Sequence, residues 1–156
     1  YKRQILGGYM SSFTHNLNII SRCTQMERSA MLKDTGLSGG QVPYLLRLCR
    51  KPGLPQEEIA RELYLNKSSV ARQIAALERQ GFVRREPSPE DRRQQLVYPT
   101  EKALRILPEL RKTVRGWNEY LLQELSEEEK LQLQTVMERI SLRARVYIER
   151  EVGWDS

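Results

Sequence analysis

Two amphipathic helical segments are separated only by Tyr64 and Leu65, and a break that short forces the helices to cross sharply instead of running on. The second segment opens at Asn66, whose side-chain oxygen is suited to cap the free N–H groups of a first turn. Leu65 and Val70 flank that cap with the spacing of a hydrophobic staple. Val70, Ile74 and Leu77 then fall on one face, which predicts a helix from Lys67 to Arg79 ended by a left-handed stop at Gly81. Lys67, Ser68, Ser69, Arg72 and Gln73 are left on the outer side of its N-terminal half, and all can donate hydrogen bonds to phosphates or base edges. The first segment starts at Pro55, where a missing N–H does no harm, and turns Ile59, Ala60 and Leu63 inward.

Beyond Gly81, Phe82 to Arg85 and Gln95 to Tyr98 are rich in aromatic and β-branched residues and read as two strands. The loop between them holds Pro87 and Pro89 and carries Glu90, Asp91, Arg92 and Arg93 at its tip. Leu54 to Tyr98 is therefore a winged helix-turn-helix. The run Ile59-Ala60, Asn66-Lys67-Ser68-Ser69-Val70, Leu77-Glu78, Gly81-Phe82-Val83, Glu90-Asp91-Arg92-Arg93 and Thr100-Glu101-Lys102 resembles the MarR family of bacterial transcription regulators. The wing signature Asp91-x-Arg93, followed by a strand and Thr-Glu-Lys, is its most specific part. Pro99 departs from the family pattern and is expected to shorten the second wing strand.

Toward the N-terminus, Met10, Phe13, Leu17, Ile20 and Met26 have helical spacing in a segment that ends at Asp34, Thr35 and Gly36. Gly7 and Gly8 suggest an arm at Tyr1 to Leu6 in place of a continuous helix. Ser38, Gly39, Gly40 and Gln41 form a capping box with Leu37 and Val42 as its staple. The helix it opens turns Tyr44, Leu45, Leu48 and Cys49 toward the core, with a modest kink expected at Pro43. After the wing, Thr100 is placed to cap a helix bearing Leu104, Ile106, Leu107, Leu110, Val114, Trp117, Tyr120 and Leu121, bent by Pro108. A second capping box, Ser126 to Glu129, opens a last helix carrying Leu133, Val136, Ile140, Tyr147 and Ile148.

The terminal helices are apolar on one face and lie on either side of the winged segment in the sequence. One small lobe does not easily cover both stripes, so they are expected to pack together and against a second copy. The fold class is thus mainly α: a winged helix-turn-helix with a small β-hairpin wing, plus N- and C-terminal helices forming a dimerisation lobe. Residues 1–156 read as a single domain, with 38–100 the DNA-binding lobe and 1–35 and 104–156 the dimerisation helices. At 39% hydrophobic content, 156 residues suffice for one core.

A net charge of +6 favours polyanionic partners. No run of about 20 apolar residues is long enough to span a membrane, and no signal-peptide pattern opens the chain, so a cytoplasmic location is expected. Cys23 and Cys49 have no metal-like spacing and read as reduced structural residues. His15 is the only histidine, and metal clusters, Gly-rich phosphate loops and nucleophile elbows are absent from the sequence. No catalytic residue, metal or cofactor is therefore expected, and the protein is not read as an enzyme.

The partners expected are double-stranded DNA, a second copy of the chain and a small-molecule effector. The resemblance implies a two-fold dimer, whose recognition helices enter successive major grooves of a near-palindrome when their centres lie about 34 Å apart. Arg92 and Arg93 then reach flanking minor grooves, with Asp91 and Arg93 paired inside the wing as in the family. It further implies a repressor whose DNA affinity falls when a small aromatic or phenolic ligand enters the crevice between the lobes, or when a cysteine is oxidised. Phe13, His15, Leu17, Tyr44 and Trp117 are the candidates for that crevice. The alternative is a winged helix serving as a protein-interaction module, which the polar face from Lys67 to Gln73 disfavours.

Overall fold

The computed structural model describes residues 2–153, with side chains from Ser12 onward. Its first helix, α1, runs Lys2–Met31. The arm expected before Gly7 and Gly8 is instead helical from Lys2. A glycine weakens a helix interior by about 1 kcal/mol relative to alanine but removes no hydrogen bond. The side chain of Met10 lies outside the described ones. A short 3-10 turn, Lys33–Thr35, ends in Gly36 at φ 79°.

The Ser38 capping box forms as expected: the Ser38 N–H donates to Gln41 Oε1 at 3.0 Å, and Leu37 and Val42 are both buried. It closes a 3-10 turn, Gly39–Gln41, so helix α2 begins only at Val42 and runs to Arg50. Pro43 therefore sits in the first turn, where its missing N–H has no intrahelical partner to lose. No kink follows from it. Gly39 is needed here, because a Cβ would collide with the Gln25 carbonyl oxygen of α1.

Strand β1 (Leu54–Pro55) leads into α3 (Gln56–Leu63), with Pro55 as the extended N-cap residue, one position earlier than its sequence reading. Helix α4 is Lys67–Arg79. β2 (Val83–Pro87) and β3 (Gln95–Pro99) form the wing, and the antiparallel sheet has the order β1-β3-β2. Pro99 pairs with Val83, so β3 is not shortened. The neighbouring ladder bond from the Thr100 N–H to Phe82 O is kept at 3.0 Å. In an antiparallel ladder alternate residues point their N–H away from a given partner, and Pro99 occupies such a position toward β2.

Helix α5 (Glu101–Leu122) continues through Pro108, and α6 (Glu127–Tyr147) runs into a π-helical turn at Ile148–Val152. One core joins Leu32, Leu45, Leu48, Ile59, Val70, Ile74, Leu77, Phe82, Val97 and Leu110. Helix α6 contributes no buried residue. Trp117 ties α5 to α1 by donating from Nε1 to Thr24 Oγ1 at 2.8 Å, and its ring stacks on Tyr120.

Across α2 and α3, Arg47 grips both carboxylate oxygens of Glu62, and Lys51 Nζ lies 2.7 Å from Glu58. The Arg47 hydrogen bond holds the Glu62 carboxyl below its ordinary pKa of 4.5. A carboxyl depressed in the folded state adds stability above its unfolded pKa and loses it as pH falls through the folded value. Glu62→Gln is therefore expected to flatten the fall of stability below about pH 4.5, as read by urea unfolding across pH 2 to 7. The effect is modest, because the pair is partly exposed and screened by water.

Candidate nucleic-acid interface

Helix α4 is held firmly at both ends. At its start, Asn66 Oδ1 accepts the Ser69 N–H at 2.7 Å and the Ser68 hydroxyl at 2.9 Å. At its end, the Gly81 N–H donates to Glu78 O and the Phe82 N–H to Leu77 O, both at 2.9 Å. This is a Schellman motif, with Gly81 at φ 77° supplying the left-handed residue and the side chains of Phe82 and Leu77 both buried.

Two residues of the Thr-Glu-Lys run complete that end. Thr100 Oγ1 donates to Gly81 O at 2.6 Å, and Lys102 Nζ donates to Gln80 O at 2.7 Å while lying 4.3 Å from the Phe82 ring centroid. A cation here also opposes the negative end of the helix dipole. Gln80 is bound from the other side: its Nε2 donates to Gly36 O at 2.8 Å, and its Oε1 accepts from Gln41 Nε2 at 3.1 Å. The chain thus anchors α4 to the loop after α1 as well as to the start of α5. The capping-box pattern revealed Gln41, but nothing local revealed its second bond, to a residue 39 positions away.

On the outer side of α4, Lys67, Ser68 and Arg72 are exposed, and Ser69 and Gln73 are half-buried. Arg72 Nη2 donates to Ser69 Oγ at 3.3 Å. The five residues expected at the groove therefore share one end of the helix, as the spacing requires. Ser69, Arg72 and Gln73 have a second neighbourhood. With Thr24 and Arg28 of α1, and with Pro43 and Tyr44 of α2, they line a cleft of about 380 Å³ between α1, α2 and α4. Burial lowers the pKa of Arg28, and its Nε is buried with no hydrogen-bond partner among the described residues.

The wing turns on Ser88, a buried polar residue that the sequence reading missed. Its hydroxyl accepts the Glu90 N–H at 3.3 Å, and its own N–H donates to Gln94 O at 2.8 Å. Asp91 Oδ1 accepts the backbone N–H of Arg93 at 3.0 Å. The bond between these two residues is thus an Asx turn, where the resemblance implied a carboxylate–guanidinium pair. A short acceptor reaches the amide two positions on without ordering a long side chain, and this leaves the Arg93 guanidinium out of the turn. Arg92 and Arg93 are exposed, and neither has an ion-pair partner among the described residues. Arg84 and Arg85 at the wing base are occupied otherwise. Arg84 pairs with Glu86 and stacks 4.7 Å from the Tyr98 ring centroid, and Arg85 pairs with Glu78, which holds that carboxyl below its ordinary pKa.

The five residues expected to line one effector crevice are dispersed. Tyr44 lines the cleft beside Arg72, but Leu17 lines a different cavity, between α1, α5 and α6. Phe13 and His15 are exposed on α1, and Trp117 is committed to Thr24. Helical spacing placed Phe13, His15 and Leu17 on one segment, but α1 turns different sides to the lobe and to solvent. Cys23 is exposed and Cys49 half-buried, and burial pushes the Cys49 thiol up, away from a reactive thiolate. Among the described residues no helix is long and apolar enough to cross a membrane, and no group of three or more His, Cys, Asp or Glu is placed to hold a metal ion.

These features coincide with known proteins. Residues 35–94 match the sequence model of the MarR family. The chain is 30% identical over 142 residues to the uncharacterized HTH-type transcriptional regulator YybA of Bacillus subtilis, covering 91% of this chain and 92% of that protein. The crystal structure of the transcriptional regulator SlyA superimposes with a TM-score of 0.84 at 30% identity, covering 87% of this chain and 96% of that one. A MarR-family regulator from Listeria monocytogenes, crystallised in complex with a 26mer DNA, has the same fold at 22% identity, with a TM-score of 0.81 over 89% of this chain and 95% of that one. With its winged helix-turn-helix, its doubly anchored recognition helix and a relative that matches it almost end to end, the chain belongs to the MarR family of transcriptional regulators.

Proposed function

We propose that the protein is a homodimeric repressor that binds a near-palindromic duplex, residues 38–100 serving as the DNA-binding lobe and 1–35 with 104–156 as the dimerisation helices. The observation that carries this reading is the shared exposure of Lys67, Ser68 and Arg72 on α4 and of Arg92 and Arg93 on the wing, neither of them ion-paired among the described residues. In this reading α4 enters the major groove with Ser69 and Gln73 beside those three residues, and the wing arginines reach the flanking minor grooves. The 26mer DNA bound by the Listeria relative supports the partner class. In this reading repression results where the bound site overlaps a promoter, since the protein then occupies the DNA that the polymerase needs.

The dimer is supported by apolar surface that one chain leaves open. Ile20 is 47% exposed, Tyr120 61%, Val136 46% and Tyr147 62%. A cavity of about 610 Å³ between α1, α5 and α6 is lined by Leu17, Ile20, Leu121, Leu133 and Met137. Exposed patches of this kind on a small protein mark an interface. An effector is supported by the cleft that joins Arg28, Tyr44 and Arg72. An aromatic anion seated there engages Arg72 and withdraws it from DNA, so its affinity for the DNA-incompetent arrangement shifts the population.

The test is selection from a pool of random duplexes at two salt concentrations, followed by sequencing. Enrichment of an inverted repeat is the expected result. Weak binding to any duplex without enrichment would sink the repressor reading and favour the protein-interaction module. Repeating the binding with benzoate present tests the cleft, with release of the duplex expected.

A further inference from the structure

Tyr64 is the first of the three residues between α3 and α4, and at φ 53° it is the only non-glycine residue with positive φ among the described ones. A side chain with a Cβ is disfavoured in that left-handed conformation, which glycine or asparagine adopts more readily. The tyrosine side chain reaches out of the DNA-binding lobe altogether. Its hydroxyl donates to Glu149 Oε1 at 2.7 Å, and its ring lies 5.1 Å from the Arg145 guanidinium. Arg145 lies in the last turn of α6 and Glu149 in the π-helical turn that follows, so the two partners are one helical turn apart and grip the ring and the hydroxyl together. Helix α6 buries nothing in the core, yet it carries exposed Leu131, Val136, Leu142 and Tyr147, part of the surface assigned above to the dimer. The bond to Glu149 also holds the phenol above its ordinary pKa.

We infer that Tyr64 is a positioning residue for DNA recognition: with Arg145 and Glu149 it forms a strut that sets the helix-turn-helix against the dimerisation helix, and so sets the separation of the two recognition helices. This inference rests on the homodimeric reading. The strut touches no DNA. Its removal leaves each half-site contact intact and lets the two lobes drift from the separation that a palindrome requires.

The experiment compares wild type, Tyr64→Phe, Glu149→Ala, Glu149→Gln and the Tyr64→Phe/Glu149→Ala double variant, all in the full chain. Each is titrated with the selected palindrome, with a duplex holding a single half-site, and with palindromes lengthened or shortened by one base pair. Tyr64→Phe and Glu149→Ala are expected to lose roughly five- to twenty-fold in affinity for the palindrome, about one hydrogen bond per protomer. Half-site affinity and salt slope stay unchanged, and the spacing preference broadens. Glu149→Gln keeps an acceptor oxygen and stays near wild type, and the double variant is no worse than either single one. Tyr64→Phe retains the ring, and an unchanged melting temperature shows that it is folded. Equal palindrome affinity and spacing preference for Tyr64→Phe and wild type overturn the strut. So does an equal loss on half-site and palindrome, which would make Tyr64 a local determinant of DNA contact. If wild type itself binds palindrome and half-site alike, the homodimeric reading fails first and the strut with it.

Discussion

Phe82→Ala is expected to lower the free energy of unfolding by about 3–5 kcal/mol, the usual cost of emptying a large aromatic site in a packed core. The ring is 1% exposed and belongs to the single core, so little water reaches it to soften the loss. Lys102 adds a cation–π contact at 4.3 Å, worth roughly 0.5–1 kcal/mol at a partly exposed site. Against a typical total of about 5–15 kcal/mol, this is a large fraction. Denaturant unfolding measures it, and a loss below about 1 kcal/mol would show that the ring is not in the core. Phe82→Leu retains most of the apolar volume and should lose clearly less. The consequences extend to recognition, because Phe82 closes the Schellman motif of α4 through its N–H and leads directly into β2. The alanine variant keeps the backbone bond but not the packing that seats it, so DNA affinity is expected to fall with stability.

Arg72→Ala is expected to cost about 1–3 kcal/mol of binding for each half-site, the range for a well-placed arginine contact to a base. A two-fold complex loses it twice, which makes roughly a thirty-fold weakening the smallest expected effect on the palindrome. The loss should concentrate on particular base positions, so selection with the variant returns a motif degenerate there. Arg72 is exposed and, among the described residues, its one hydrogen bond is to the neighbouring Ser69, so the melting temperature should change little. A uniform loss over all sequences, with the salt slope reduced by about 1, would instead assign Arg72 to phosphate. No loss at all would remove it from the interface. Because Arg72 also lines the cleft with Arg28 and Tyr44, the variant is expected to lose benzoate-induced release as well.

Several caps that depend on a few neighbouring residues were legible in the sequence, though the Ser88 turn of the wing was not, and the Thr100 hydroxyl donates to Gly81 O instead of capping α5. Asn66 with Ser69, Ser126 with Glu129 and Gly81 after α4 all formed as read. Backbone geometry brings such residues together whatever the rest of the chain does. The apolar faces of α4 were legible for the same reason, since a period of 3.6 places Val70, Ile74 and Leu77 on one side. The prolines were not. Whether a missing N–H matters at Pro43 or Pro99 depends on what faces that position: at Pro43 a preceding 3-10 turn had already made it the start of the helix, and at Pro99 the ladder bond falls on the next residue. For the effector crevice, helical spacing says which residues share a segment but not which side of that segment meets its neighbours: Tyr44 lines the cleft beside Arg72, and Leu17 lines a separate cavity. Local periodicity and capping suffice for the winged helix-turn-helix and for the set of side chains that α4 offers to DNA. What holds α4 in place is set by packing between distant parts of the chain. The bonds of Gln80 to Gly36, of Lys102 to Gln80 and of Tyr64 to Glu149 span 44, 22 and 85 residues, and contacts that distant depend on how whole helices cross as the core packs, an angle that no local spacing encodes.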